Sequence, residues 1–347
     1  MSSQRLGPRG FPRWLGATMA LALLLAACSS PAASPSASQS QAASEPPSSD
    51  SAEATPVGER TFDAGSGAVT ITGIPERPYA WGFELIDILS VLGVEPAGYT
   101  SRGGGVVPDY LGVTWSNAQQ LGEPPALEQV VALDPDIILS DASNDNTAVE
   151  DIAPVLAVRA NSYQDALDQL ALIGEMFGKE EEAQAFIDMF NQELEDTQEQ
   201  IADQPALTSM VVYPGAEPGV LGMWLDSSFT GSLIDALGTE YALKLDELSG
   251  TDLEGDNGGR ANDLGLVQLG LEKVVQLDPD VIFVLGDEQF LTDLGQNAAW
   301  ASLAAVTGER VYLFDRDKWS RARGPVAALA MVKEARHALY PDIFPEV

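Results

Sequence analysis

A twelve-residue segment of this chain returns with nine positions unchanged. Leu127-Glu128-Gln129-Val130-Val131-Ala132-Leu133-Asp134-Pro135-Asp136-Ile137-Ile138 returns as Leu271-Glu272-Lys273-Val274-Val275-Gln276-Leu277-Asp278-Pro279-Asp280-Val281-Ile282, with nine positions identical at a constant offset of 144. That period is far too long for a solenoid unit, so it marks two lobes built around one helix-to-strand step. Leu127 with Val130/Val131, and Leu271 with Val274/Val275, give the i, i+3, i+4 stripe of a helix. Pro135 and Pro279 stop those helices, because proline has no N–H and restricts the residue before it. The runs that follow, Ile137-Ile138-Leu139 and Val281-Ile282-Phe283-Val284-Leu285, are continuously apolar, as in strands covered on both faces. Two α/β lobes of one pattern imply a ligand held between them.

The chain opens with Arg5, Arg9 and Arg13, followed by an apolar run from Trp14 to Ala27. The run is too short to span a bilayer but suits the apolar part of a secretory signal. It closes on Leu25-Ala26-Ala27-Cys28, which resembles a bacterial lipobox. That resemblance implies cleavage before Cys28, lipidation of its thiol and new N-terminus, and anchoring to a membrane. Cys28 is the only cysteine and has no disulfide partner within the chain. Residues 29–56 are almost entirely Ser, Ala, Pro, Gln and Glu, a composition that cannot offset its ordering entropy and reads as a leash.

The expected organisation is therefore a signal over 1–27 and a lipidated cysteine with linker over 28–57. An N-terminal α/β lobe over 58–160, a helical connector over 161–204 and a C-terminal α/β lobe over 205–347 complete it. Within it, Thr61–Ile71 reads as a hairpin, and Pro78–Gly82 as a strand leading into a helix capped by Gly93. Lys179–Ala202 reads as one helix of ~36 Å, long enough to run along both lobes.

With 52 acidic against 18 basic residues the formal net charge is −34, and loss of the leader arginines makes it more acidic still. This excludes non-specific nucleic-acid binding, which needs Lys and Arg to displace counterions. The excess is spread along the chain and suits a salty habitat.

The lipobox, the paired Leu-Glu-x-Val-Val-x-Leu-Asp-Pro-Asp steps and the connecting helix together resemble the iron-siderophore and cobalamin branch of periplasmic binding proteins. The closing segment Glu309–Asp315, Trp319 and Arg323-Gly324-Pro325 is also similar to its ferric-siderophore members. The resemblance spans roughly residues 58–342. It implies an α/β fold of two Rossmann-like lobes joined by a single long α-helix, the class III arrangement. It also implies a monomeric, non-enzymic binding protein without a cofactor. Its partners would be a ferric siderophore, or alternatively cobalamin, and an ABC permease with its ATPase subunits. In this family an exposed glutamate on each lobe docks on the permease, and those positions fall on Glu128 and Glu272. Relatives that bind hydroxamates often carry an arginine after the glycine that here is Gly122; this chain has Glu123.

A ferric siderophore is bulky, often anionic and partly aromatic, and calls for arginines and flat rings. Arg316, Lys318, Arg321 and Arg323 fall within eight residues around Trp319, in a loop that the resemblance places on the cleft rim. Trp319 is expected to stack on the ligand, with Arg321 or Arg323 neutralising its charge; the alternative for either arginine is a salt bridge to Asp315 or Asp317. Tyr79 and Trp81, at a strand's carboxyl end, Arg102 beside Gly103-Gly104-Gly105, and Met223 and Trp224 are further ligand candidates. Each aromatic could equally belong to the core.

Zinc or manganese capture needs clustered ligands, and the one histidine, His337, reads as structural. Asp252–Asp263 lacks the glycine and glutamate of a calcium loop and reads as a polar loop. A surface-anchored enzyme is the different-class alternative; no Gly-x-Ser-x-Gly elbow, phosphate loop or His-Glu-x-x-His supports it.

Overall fold

The structure, a computed structural model, describes residues 58–101, 107–217, 219–249 and 260–345. The expected signal and linker with Cys28, Arg102, and residues 250–259 with Asp252 lie outside the described residues.

The hairpin of β1 (Glu59–Asp63) and β2 (Ala68–Thr72) leads into the first lobe. There β3 (Pro78–Trp81), α1 (Phe83–Leu92), β4 (Gly98–Thr100), β5 (Gln119–Gln120), α2 (Leu127–Leu133), β6 (Ile137–Asp141) and β7 (Val155–Val158) follow in order. The five strands β3–β7 form a wholly parallel sheet ordered β5-β4-β3-β6-β7. Ile137, Ile138 and Leu139 are fully buried, as a strand covered on both faces requires.

Two helices then connect the sheets. In α3 (Tyr163–Phe177), Ser162 Oγ accepts the Asp165 N–H while the Asp165 carboxylate accepts the Ser162 N–H, a complete capping box. Gly178 ends α3 in the left-handed region, and α4 (Glu180–Ile201) runs 22 residues along the molecule.

The second lobe comprises β8 (Thr208–Pro214), β9 (Val220–Trp224), α5 (Phe229–Asp235), β10 (Glu240–Tyr241), α6 (Arg260–Leu264) and β11 (Leu266–Gly270). It continues with α7 (Leu271–Leu277), β12 (Val281–Leu285), α8 (Glu288–Gly295), α9 (Ala298–Ala301), α10 (Ala304–Thr307), β13 (Val311–Phe314) and α11 (Pro325–Leu339). Its sheet runs β11-β9-β8-β12-β13, with β10 beside β8; β9 is antiparallel to both neighbours and the rest are parallel.

The repeat is a structural one. Both α2 and α7 end on an aspartate in the left-handed conformation, Asp134 at φ 49° and Asp278 at φ 42°. The proline that follows cannot continue a helix. The second aspartate of each motif then ties down a neighbouring strand's start. Asp136 accepts the backbone N–H groups of Glu76 and Arg77 at 2.6 and 3.0 Å, just before β3. Asp280 accepts the N–H and hydroxyl of Thr208, both at 2.9 Å, at the first residue of β8.

The lobes are tied at the start of α11. Gly324 and Pro325 open this helix without a side-chain cap of its own. Asp87, on α1 of the other lobe, supplies one: its carboxylate accepts the Val326 and Ala327 N–H groups at 2.8 and 2.9 Å. A Cβ at Gly324 would overlap the Asp87 carboxyl, so glycine is required for the approach.

Candidate functional site

The carboxyl ends of β3, β6 and β7 face the loop between β13 and α11 across a crevice, the position at which open parallel sheets bind ligands. Its deep part leaves a cavity of about 30 Å³, lined by Trp81, Gly82, Phe83, Glu84, Glu123, Asp141, Asn144 and Arg159 from the first lobe and Ser320, Arg321 and Arg323 from the second. A second recess of about 410 Å³, which shares Phe83 with the first, lies between Phe83, Pro108, Asp109 and Tyr110 on one side and Asp315, Asp317, Lys318 and Ala322 on the other.

The first-lobe wall is held by its own polar network. Asn144 Nδ2 donates to Trp81 O and to Ser140 Oγ, both at 3.1 Å, which fixes the loop after β6 against the end of β3. Arg159 pairs with Asp141 at 3.0 Å. Burial opposes ionisation of Asp141, but the Ser143 N–H, Arg159 and the Glu84 side chain hold its carboxyl below the usual range. Glu84 behaves oppositely. It is 3 % exposed, and burial, reinforced by the Asp141 charge, pushes it up to about 8.

The second-lobe wall is a loop wound by one wide turn: the Ala322 N–H reaches Asp317 O at 2.9 Å, the five-residue spacing of a π-turn. Arg323, 8 % exposed, donates to Ala160 O at 3.1 Å across the lobe boundary and lies 5.9 Å from the centre of the Trp224 ring. Trp224 in turn lies 5.8 Å from Tyr213, over which Arg316 sits at 5.7 Å. Two arginines are thus held at either end of an aromatic pair, a favourable use of the ring faces. Gly222 permits it, since a Cβ there would run into the Tyr213 ring.

Trp81, Arg321 and Arg323 therefore line the crevice. Arg321 also pairs with Asp317 at 2.8 Å. Four expectations are corrected. Trp319 does not stand on the rim: it is 1 % exposed, stacked on Phe314 at 4.4 Å and Phe283 at 5.5 Å, with its Nε1 donating to Glu334 at 2.6 Å. Tyr79 is fully buried against Leu121 and Val130, its hydroxyl 2.7 Å from Thr100 Oγ1. Met223 is fully buried in the second-lobe core. Trp224, 5 % exposed, lies beneath Arg323 rather than at the crevice surface. Glu84, Asp141 and Arg159 are crevice residues that sequence reasoning missed; the signal available was their place one to three residues from the ends of apolar strands.

Glu128 and Glu272 are exposed, in the first turns of α2 and α7. His337 Nδ1 is 2.8 Å from Phe344 O. Among the described residues no group of three His, Cys, Asp or Glu side chains is arranged to hold a metal, and no helix is long and apolar enough to cross a membrane.

Two α/β lobes, a helical connector and a crevice at the strand ends define a class III binding protein. The chain belongs to the periplasmic binding protein family, whose profile matches residues 117–317. It is 23% identical over 284 residues to the Fe(3+)-citrate-binding protein YfmC of Bacillus subtilis (strain 168), covering 79% of this chain and 84% of the relative. It is 24% identical over 273 residues to the Fe(3+) dicitrate-binding periplasmic protein FecB of Escherichia coli (strain K12), covering 76% and 84%. Among solved structures, Staphylococcus aureus SirA complexed with staphyloferrin B superposes with a TM-score of 0.66 at 21% identity, over 81% of this chain and 98% of that one. FeuA of Bacillus subtilis complexed with ferri-bacillibactin gives 0.65 at 21% identity, over 81% and 98%.

Proposed function

We propose that this chain is the exported substrate-binding protein of an ABC importer, anchored through a lipidated Cys28. It captures a ferric siderophore between its lobes and delivers it to the permease through Glu128 and Glu272, without catalysing a reaction. The observation that carries this reading is the crevice itself. Parallel-strand ends from one lobe face Arg321 and Arg323 of the other, and Arg323 is held in place by Ala160 O and the Trp224 ring. A guanidinium fixed before the ligand arrives loses little freedom on binding. The names of the relatives, which bind ferric citrate, and of the neighbouring structures, solved with ferric or siderophore ligands, support iron over cobalamin.

The test is titration of the full chain with ferric citrate, a ferric triscatecholate, ferrioxamine B and cyanocobalamin, following tryptophan fluorescence corrected for ligand absorbance. Saturable quenching by a ferric chelate, and its loss of most amplitude in Trp81→Phe, is the expected result. Trp81 is the half-buried tryptophan of the crevice wall. Saturation by cyanocobalamin alone, or chemical conversion of the bound chelate, would overturn the assignment.

A further inference from the structure

The docking reading of Glu128 and Glu272, on which this inference rests, uses two acids, but the helices that carry them present more. The repeat puts Leu127, Val130 and Val131 on one apolar stripe, yet only Val130 of the three is buried. Leu127 is 42 % exposed and Val131 57 %; in the second copy Val274 is fully buried while Val275 is 37 % exposed. Five large hydrophobic residues are exposed among the described residues, and Leu127, Val131 and Val275 are three of them.

Single exposed apolar side chains are ordinary on a protein surface. These are not scattered. Val131 and Val275 hold the same position of the repeat, and each lies three residues after its exposed glutamate. Residues three and four apart are neighbours on a helix surface, so each valine adjoins its glutamate, and Leu127 adjoins Val131. The helices gain nothing from this arrangement, since valine is a poorer helix former than leucine, glutamine or lysine. On the second lobe the apolar surface also deepens. Leu271, directly before Glu272, is half-buried and lines a recess of about 490 Å³ with Val220, Leu221, Phe290 and Leu294.

The acids decide what covers these patches. A second copy seated face to face would bring glutamate against glutamate between two chains of charge −34, and like charges oppose that contact. The anionic surface of a bilayer is repelled in the same way. A protein surface with a basic side chain set among apolar ones, at two places, satisfies both the glutamate and the valine of each lobe.

We infer that each lobe docks on the permease through a mixed patch, Glu128 with Leu127 and Val131 on one, Glu272 with Val275 and the Leu271 recess on the other. The partner surface carries two basic side chains flanked by apolar ones, and one apolar side chain enters the recess. The glutamates give attraction and register, while the apolar groups give the part of the affinity that salt does not screen.

The test measures radioiron uptake, supplied as ferric citrate and as ferrioxamine B, in cells whose own full-length copy carries the substitutions, less the uptake of cells lacking the chain. Leu127→Gln, Val131→Thr and Val275→Thr are combined, which removes the apolar groups and keeps both glutamates. Chelate affinity by fluorescence titration and the melting temperature should stay unchanged, while uptake below saturation falls about tenfold, the scale of losing a few apolar interface contacts. Val131→Ile with Val275→Ile, which keeps the patches apolar, should retain uptake. Full uptake in the triple variant, together with lost uptake in Glu128→Lys plus Glu272→Lys, would overturn the inference and leave glutamate docking standing. A dimer of the full chain in sedimentation velocity, abolished by the triple substitution, would assign the patches to a second copy and overturn it as well. Full uptake in both variants would overturn the docking reading itself, and no chain-dependent uptake of either chelate would overturn capture.

Discussion

Asp87 and Glu84 sit one helical turn apart on α1, and both are buried carboxyls, but their surroundings differ. Asp87 accepts two backbone N–H groups at the start of α11, and burial still pushes it up to about 7. Glu84 faces Asp141 and is pushed up to about 8. In the unfolded chain both titrate near about 4, so between that pH and about 8 the folded chain binds protons that the unfolded chain has released. Stability contributed by these groups is therefore present at mildly acidic pH and lost as pH rises through their folded values. Thermal unfolding followed by circular dichroism should show a melting temperature that falls between about pH 5 and about pH 8, and Glu84→Gln should flatten the fall. Asp87→Ala leaves two helix N–H groups without their acceptor and is expected to cost about 1–3 kcal/mol in denaturant unfolding. Gly324→Ala, which overlaps the same carboxyl, should cost a similar about 1–3 kcal/mol by crowding. None of this is legible in composition: Asp87 and Glu84 are two of 52 acids, and the partners of Asp87 lie about 240 positions away. The aromatics were ambiguous for the same reason. Trp319 stands among four basic residues in the chain, yet its ring packs on Phe283 and Phe314, contacts that only the closing of β12 against β13 creates.

At the scale of elements the chain was far more readable, because the repeated step encodes its own geometry. The helix stripe, the stop at Asp-Pro and the buried strand all depend on neighbours within a dozen residues, so local pattern suffices. The observed α2–β6 and α7–β12 steps follow it at both sites. Local pattern does not predict that the aspartate before each proline takes a positive φ, a conformation that usually favours glycine. The two copies should respond differently to that exchange. Asp134 bonds through its main chain, its carbonyl accepting the Arg77 Nε–H at 3.0 Å and its N–H reaching Val131 O, whereas the Asp278 carboxylate accepts the Ala304 N–H at 2.8 Å and anchors α10. Asp134→Gly is expected to stabilise by about 0.5 kcal/mol, through relief of the left-handed strain. Asp278→Gly is expected to destabilise by about 0.5–1.5 kcal/mol, the value of the lost bond. Equal responses in urea melts of the two variants would refute the assignment of an anchoring role to Asp278.

The whole molecule carries a formal charge of −34, and self-repulsion on that scale works against a compact state. Salt shortens the reach of that repulsion, from about 30 Å at 0.01 M to about 3 Å at 1 M. The melting temperature should therefore rise with sodium chloride over that range; a fall would mean that specific ion pairs outweigh the net repulsion. The same acidity makes Glu128 and Glu272 hard to single out by charge alone. What distinguishes them is recurrence: the aspartates of the repeat have structural duties, and Glu128 and Glu272 are exposed in the first turns of α2 and α7. A helix N-terminus accounts for part of that preference, at about 0.3–1 kcal/mol per acid. That effect is local, so reversing both charges by Glu128→Lys and Glu272→Lys should lower stability by no more than about 2 kcal/mol and leave chelate affinity in the crevice unchanged. Docking as proposed makes a different demand, since reversing both charges would replace attraction to the permease by repulsion. Uptake of radioiron by cells carrying the double variant should fall at least about tenfold, with each single variant in between, as repulsion at a charged interface requires. If uptake persists while chelate binding is intact, the paired glutamates serve the helices alone and the permease reads another surface.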